Sequence, residues 1–389
     1  MSHVHVCLVS DQTIPNILSI YHFKPDSVLF ITTKDMEGKG KTQAILDTLK
    51  HLGFDYENRH KRVEVAEDSI LDCHNKIGAT VQEHDDAEYS VNLTNGTKIM
   101  SIAAYDFFKD YGSKMIYIPI DKNEFITPFP KKAHIKPEPL NLRLSVTQYL
   151  SAYGLKVSNL EKLERNRKEA IDRKELSRWI VMHYEDIKDL LVWLGGILRK
   201  HRDNKKDYLL RGDFEGSTHA ENELIKRLNI QHSGKTLSKL MSRSEIRYIT
   251  GGWLEEFCFC ELCEHLKKNI DDIQLGLKLK SNKGVENEFD VMFTKGNALY
   301  FVECKTLEQQ NLDYRDILYK IGALQKDFGL RVNSYWVTTS SKILKDSDLH
   351  PAVKARAEQF NTTVIPPKDV PNLGNIIVDK LKMKEERGL

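Results

Sequence analysis

Asp290, Glu303 and Lys305 are the residues of this chain whose types and spacing could act together on a phosphate ester. They lie in the stretch 286–306, where two apolar-rich runs flank Thr294-Lys295-Gly296-Asn297. Such a pattern reads as a β-hairpin, with Gly296 free to take positive φ. With Thr294 paired to Asn297, Asp290 faces Phe301 and Glu303 sits one diagonal step away. Side chains alternate along a strand, so Glu288, Asp290, Glu303 and Lys305 are expected on one face. Diagonal neighbours about 7–8 Å apart can lean onto one hard cation. Mg²⁺ or Mn²⁺ takes oxygen ligands, and Asp290, Glu303 and the backbone carbonyl of Cys304 would supply three. Lys305 beside the ion would orient a water and neutralise charge building on a phosphate. That chemistry is phosphodiester hydrolysis. The same spacing also suits a plain hairpin with a surface Glu–Lys pair, so the elements around it must decide.

Those elements run, from about residue 212, as a helix over 219–229, a basic connecting stretch, a helix over 252–268 and strands at 272–280, 286–293 and 298–305. A helix over 311–328, a strand at 333–338, a helix at 351–360, a strand at 362–365 and a last helix at 373–384 follow. The middle of that series, α-β-β-β-α-β, is the core order of restriction-endonuclease-like folds. The run Leu299-Tyr300-Phe301-Val302 is written for a core, and charges placed at its end are costly unless something pairs with them. Gln325, with Tyr314 and Tyr319, offers further polar groups on the following helix. Cys258, Cys260, Cys263 and His265 have a zinc-like look, but on a helix positions 258 and 260 point to different sides.

The first 126 residues alternate strand and helix, with strands expected at 3–9, 27–32, 62–66, 90–94 and 114–120. This pattern predicts a doubly wound parallel sheet whose ligands bind at the carboxyl ends of its strands. Three loops fall there: Ser10-Asp11-Gln12-Thr13, Thr32-Thr33-Lys34, and Asn92 to Lys98. In the last, Asn95 and Gly96 can adopt left-handed geometry, so successive N–H groups would form an anion-binding nest before a helix. Asn-Gly-Thr is equally ordinary turn chemistry. Gly40-Lys41-Thr42 imitates the tail of a phosphate-binding loop, but Asp35 stands where the leading glycine is needed.

Between the two halves, 127–140 holds four prolines and reads as a linker or edge segment. Helical stretches follow to about 211, a plain connector or the opening of a helix-turn-helix. The division is therefore 1–135, 136–211 and 212–389. The net charge of +2 says nothing of a polyanion, yet residues 131–211 carry 19 Lys and Arg against 11 Asp and Glu, an excess of eight. Such a basic middle suits nucleic acid contact or a solvated helical face. Six sparse cysteines fit reduced thiols in the cytoplasm. No apolar run is long enough for a membrane span, and no signal-peptide pattern opens the chain.

Asp290, a dozen residues, then Glu303-Cys304-Lys305 on a hairpin resembles the PD-(D/E)XK nuclease superfamily. The loop Asn92-Leu93-Thr94-Asn95-Gly96-Thr97-Lys98 on a doubly wound sheet resembles the CARF domain, the sensor of type III CRISPR effectors. Gly251-Gly252-Trp253-Leu254-Glu255-Glu256, ahead of the hairpin, is similar to the nuclease arm of the same effectors. The resemblance implies a homodimer that binds a cyclic oligoadenylate, commonly the cyclic tetra-adenylate, across its two-fold axis. It implies a metal-dependent nuclease cutting single-stranded RNA or DNA, or nicking duplex DNA, with little sequence preference. By resemblance the ligand loops are Ser10 to Thr13, Thr32 to Lys34 and Asn95 to Lys98. Family loops often carry two glycines where this chain has Asn95-Gly96. A helix glutamate joins the metal shell in this superfamily, and Glu255 suits that role better than Glu256, lying nearer the Leu254, Cys258, Leu262 face. A ligand-responsive nucleic-acid-binding regulator with an inactive nuclease fold is the other reading.

Overall fold

The computed structural model describes residues 1–389 except 83–85, 121, 131–133, 217, 281–285, 307–313 and 387–389, with the backbone alone for 268, 314, 315 and 384–386. The N-terminal sheet has the order β3-β2-β1-β4-β5-β6-β7. Its parallel part comprises β1 (His3–Leu8), β2 (Ser27–Thr32), β3 (His60–Glu64), β4 (Glu88–Asn92) and β5 (Lys114–Tyr117). Central β1 is covered on both sides: Val4, Val6 and Leu8 enter one apolar cluster, and Cys7 and Val9 another. Two-sided burial of a β-rich run is what helical crossovers impose on a parallel sheet. The proline-rich segment contributes to β6 (Glu124–Phe129), antiparallel to β5, and supplies β7 (Glu138–Pro139), the edge strand, where proline's missing N–H does least harm.

The C-terminal sheet has the order β18-β15-β14-β13-β12-β8. Here β8 (Lys156–Val157) comes from the connector; β9 (Tyr208–Asp213), β10 (Gln231–Ser233) and β11 (Thr236–Met241) form a separate three-stranded sheet. Strand β9 crosses position 211 and pairs with β11 along its length. The antiparallel strands β12 (Asp272–Lys280), β13 (Glu286–Lys295) and β14 (Ala298–Lys305) precede helix Tyr314–Gln325 and the parallel β15 (Val332–Thr338). A small hairpin, β16 (Leu344–Lys345) and β17 (Asp348–Leu349), leads to β18 (Thr362–Ile365), parallel to β15.

The expected hairpin register is corrected by two residues. Lys295 pairs with Ala298 and Val291 with Val302, leaving Gly296 and Asn297 as the turn, both at positive φ (55° and 59°). Two left-handed central residues make the turn that matches strand twist. Asn297 also reaches outside the hairpin: its amide oxygen accepts the Leu144 N–H (2.9 Å), and its Nδ2 donates to Asn123 Oδ1 (2.8 Å) and the Leu142 carbonyl (2.9 Å). Asp290 therefore stands opposite Glu303, not Phe301.

One apolar core joins the two halves. Ile14, Leu18 and Ile45 of the N-terminal half, Leu144 and Tyr149 of the connector, and Phe289, Leu299, Phe301 and Trp336 of the C-terminal half belong to the same buried cluster. The other face of the C-terminal sheet packs on helices Trp253–Leu266 and Leu373–Glu386 and on connector helices Lys174–Met182 and Tyr184–Leu198.

Candidate active site and sensor face

The nuclease site forms where a ladder opens. Pairing of β13 with β14 ends at Val291 and Val302, and beyond it the Asp290 carboxylate accepts the Cys304 backbone N–H at 2.6 Å. Opposite Asp290 on β12 lies Gly276, at φ 67°, where the strand turns over. Ile273 and Leu275 face one core, Leu277 and Leu279 the other. A left-handed residue inside a strand needs glycine, and the inversion leaves Asp290 at the seam between the two cores.

Glu303 is almost wholly buried, and its Oε1 meets Lys305 Nζ at 2.7 Å and Lys320 Nζ at 3.3 Å. Glu255 arrives from the first turn of helix Trp253–Leu266, directly after a bend at Gly251 (φ 143°). A Cβ on Gly251 would stand 3.0 Å from Thr306 Oγ1, so glycine lets the helix start against the end of β14. Burial, then repulsion from Glu288, raises the Glu255 carboxyl to about 7, while Arg202 and Lys305 pull it down. Burial and the charges of Glu255 and Glu303 push Asp290 well above the usual carboxylate range, against Lys305. Burial alone would lower Lys305, but Glu303 and Asp290 outweigh it and hold the ammonium above its ordinary value. Glu256 points elsewhere, into a two-pronged ion pair with Arg173 (Nε to Oε2, 3.0 Å). Glu288 pairs with Lys278 at 3.3 Å.

Asp290, Glu303, Lys305, Glu255 and Glu288 line one cleft of about 1090 Å³. Its other wall comes from the connector and from helix Arg243–Arg247, through Lys162, Arg165, Arg202, Arg243 and Arg247. The sequence reading missed Lys320 and these arginines; the basic excess over 131–211 signalled only Lys162, Arg165 and Arg202, and nothing pointed to Arg243, Arg247 or Lys320. Among the described residues no three carboxylate, imidazole or thiolate side chains enclose a common point.

Two other groups stand apart from the cleft lining. Gln325 Nε2 donates to Ser334 Oγ (2.9 Å) and Tyr319 packs against Phe360 and Arg356, so neither lines the cleft; the Tyr314 side chain lies outside the described residues. All six cysteines are free thiols, with Cys258 Sγ 3.6 Å from Cys304 Sγ behind the active strand.

The sensor loops gather at the carboxyl ends of β1 and β4, where the crossovers of the sheet change direction. Gly96 is left-handed (φ 80°), and a Cβ there would stand 3.1 Å from Leu8 Cβ. Asn95 does not share that geometry. Its Nδ2 instead donates to the Gln12 carbonyl (2.8 Å), tying two of the loops together. Thr97 caps helix Lys98–Lys109, its Oγ1 accepting the Met100 N–H at 3.2 Å, and Lys98 is exposed beside it. Ser10 Oγ accepts the Gln12 N–H, and Asp11 gathers Lys39 (3.4 Å) and Lys41 (3.5 Å), cations from the loop that imitates a phosphate-binding motif. Thr13 and Thr32 are buried, with hydroxyls donated to the Ala152 carbonyl and to Glu37. Thr33 caps the short helix Lys34–Gly38, which leaves Lys34 exposed. The Gln12 side chain turns towards the nuclease: its Oε1 accepts from Tyr153 OH (3.1 Å) and from the Leu330 N–H (3.2 Å).

Beneath these loops runs a buried polar chain that the sequence did not announce. His5 bridges Ser90 (2.6 Å) and Ser19 (2.9 Å), and Asn92 Nδ2 donates to Ser19 Oγ and to Asn16 Oδ1 (both 3.1 Å). Asn92 Oδ1 in turn accepts the N–H and hydroxyl of Thr94.

Residues 4–149 match the family described as the Card1 CARF domain, and residues 242–384 match that of the Card1-like endonuclease domain. The chain belongs to the CARF-domain effector nucleases of type III CRISPR systems. In fold it is similar to protein VC1899 from Vibrio cholerae (18% identity, 98% of each chain covered, TM-score 0.78). It is also similar to Can2 from Sulfobacillus thermosulfidooxidans, solved in complex with cyclic tetra-adenylate (22% identity, 95% of this chain and 98% of that one covered, TM-score 0.75). No curated protein matches the chain by sequence. Among the described residues, no helix is long and apolar enough to cross a membrane.

Proposed function

We propose that this protein is a homodimeric, cytoplasmic nuclease that hydrolyses phosphodiester bonds of single-stranded RNA or DNA when a cyclic oligoadenylate occupies its sensor face. The observation that carries the reading is the cluster of Glu255, Asp290, Glu303 and Lys305 in one cleft, at the point where the β13–β14 ladder opens. Buried carboxylates that repel one another are costly in a purely structural setting, and they are what an active site with a cationic partner requires.

The donor set fits Mg²⁺ or Mn²⁺. All its atoms are oxygens, and Glu255 and Asp290 are raised first by burial and then by neighbouring carboxylates in spite of Lys305, a setting that a bound cation would relieve. Asp290, Glu303, Glu255 and the Cys304 carbonyl are the groups that would hold the ion. When bound, such an ion acidifies a water and polarises the phosphoryl oxygen. Lys305, held protonated beside Glu303, orients the attacking water and meets the charge growing on the phosphate. Lys320 adds a second ammonium on the same side.

The sensor reading rests on Gly96, the capped helix behind it, and the lysines around Asp11, a set of N–H groups and cations suited to the phosphates of a cyclic oligoadenylate such as cyclic tetra-adenylate. A switch from mostly off to mostly on needs about 10⁴-fold preference of the activator for the active state, which a ring shared by two subunits can supply. The test is cleavage of single-stranded RNA and DNA in Mn²⁺, with and without cyclic tetra-adenylate, for the wild type and Lys305→Ala. Activator-dependent cutting that Lys305→Ala abolishes is expected. Activator binding with no cutting by the wild type would instead establish a ligand-responsive regulator.

A further inference from the structure

Most cations lining the cleft are already engaged. Arg173 pairs with Glu256, Lys278 with Glu286 and Glu288, Arg243 and Arg247 with Asp203, Arg165 with Glu169, and Lys305 and Lys320 with Glu303. Arg202 differs. It is half-buried, lines the same cavity as Glu255, Asp290 and Lys305, and its guanidinium makes no hydrogen bond or ion pair among the described residues. Its backbone, by contrast, is held firmly. The Arg202 carbonyl accepts Arg243 Nε (3.2 Å) and Arg247 Nε (3.4 Å), and Asp203 Oδ1 takes Nη2 of both arginines (3.2 and 3.0 Å). On the other side His201 stacks on Tyr208 with ring centroids 3.7 Å apart. The two clamping arginines belong to the helix that leads through the Gly251 bend into the Glu255 helix, so Arg202 is fixed to the segment that delivers an active-site carboxylate.

We infer that Arg202 is a substrate-binding residue whose guanidinium takes the non-bridging oxygens of a backbone phosphate on the nucleic acid strand lying in the cleft. A planar fork of donors, unpaired and anchored at its root, is suited to bidentate phosphate contact and loses little freedom on making it. The charge of Arg202 is felt at Glu255 more than that of Lys305, which agrees with its place in the lining of the same cleft. The inference rests on the reading of the cleft as a nucleic acid site, though not on cleavage itself.

The test measures binding of a fluorescent single-stranded oligonucleotide by anisotropy across salt concentrations, with cyclic tetra-adenylate present. Full-length Lys305→Ala serves as the background so that nothing is cut. Adding Arg202→Ala is expected to weaken binding about tenfold and to reduce the magnitude of the slope of log affinity against log salt by about 0.7, the share of one phosphate on a single strand. Arg202→Lys is expected to keep the slope and to recover part of the affinity. The melting temperature should stay within a few degrees of the background. Unchanged affinity and slope would overturn the assignment, as would a loss that Arg202→Lys does not relieve or that follows a collapse in melting temperature. If the wild type never cuts but the slope still changes, the nuclease reading fails while Arg202 keeps its role.

Discussion

The nuclease cleft and the sensor face both sit where strands end, but they are made of different material. In the cleft the proposed working atoms are charged side chains, Asp290, Glu303, Lys305 and Glu255, fixed by a sheet and a long helix and buried at some cost. On the sensor face they are backbone N–H groups and small polar side chains, shaped by Gly96 and by ties such as Asn95 to the Gln12 carbonyl. A site of side chains is broken by changing its chemistry. A site of backbone is broken by changing its shape.

The largest effect should come from the cleft. Lys305→Ala or Asp290→Asn is expected to lower the activator-dependent cleavage rate by about 10²–10³-fold or more, because the first removes the cation that meets the reacting phosphate and the second a carboxylate that would hold the ion. Activator affinity, read by calorimetry, should stay within twofold. A comparable fall in affinity would mean the two regions are not separable in this way.

Gly96→Ala tests the other material. Alanine would have to adopt φ 80° with its Cβ 3.1 Å from Leu8 Cβ, a strain of about 1–3 kcal/mol. The activator concentration for half-maximal cleavage should rise about tenfold, with the rate at saturation little changed. A lowered saturating rate with an unmoved midpoint would place Gly96 outside the sensor.

The same contrast explains what could be read in advance. From helix Trp253–Leu266 onward the order of the main strands and helices was legible because the apolar runs are long and regularly spaced, whereas the sheet of β9, β10 and β11 and helix Arg243–Arg247, short and rich in charge, were read only as a helical connector and a basic connecting stretch. Glu255 and Glu256, adjacent on one helix, were hardly separable in sequence; what sets them apart is the ion pair of Glu256 with Arg173, a partner 83 positions away. The register of the hairpin was not legible. The turn at Gly296-Asn297 is held by Leu142, Leu144 and Asn123, more than 150 residues away in sequence, and no local pattern carries that. Lys320 and Arg202 escaped notice for a related reason, since the fold brings them to the cleft from separate helices. In the sensor the loops were placed by strand alternation alone. That Thr13 and Thr32 turn inward, and that Lys39 and Lys41 gather at Asp11, depends on packing.

Gln12 belongs to both regions. Its carbonyl holds Asn95 in the sensor, and its side-chain oxygen holds Tyr153 and Leu330 on the nuclease side. Gln12→Leu should reduce the ratio of activated to basal cleavage by about 5–10-fold, within the usual range of coupling energies. Gln12→Glu, which still offers acceptor oxygens to both donors, should retain more of it. Equal ratios in the wild type and Gln12→Leu would show that the shared apolar core alone couples the halves.

The smallest effect is one of pH, and it is expected from the sensor. His5 is fully buried between Ser19 and Ser90, and burial, with the nearby His3 and His22, lowers its pKa to about 3. In the unfolded chain it titrates near the ordinary value of about 6.5. Below that point the unfolded state takes up a proton that the folded state refuses, so the contribution of His5 to stability is full above pH 6.5 and declines towards pH 3. The slope cannot exceed about 1.4 kcal/mol per pH unit. Between pH 7 and pH 5 the wild type should lose about 2 kcal/mol more than His5→Gln, whose amide can still bond the serines but cannot titrate. Denaturant unfolding at several pH values reads this difference, and parallel curves for the two proteins would remove His5 as its source.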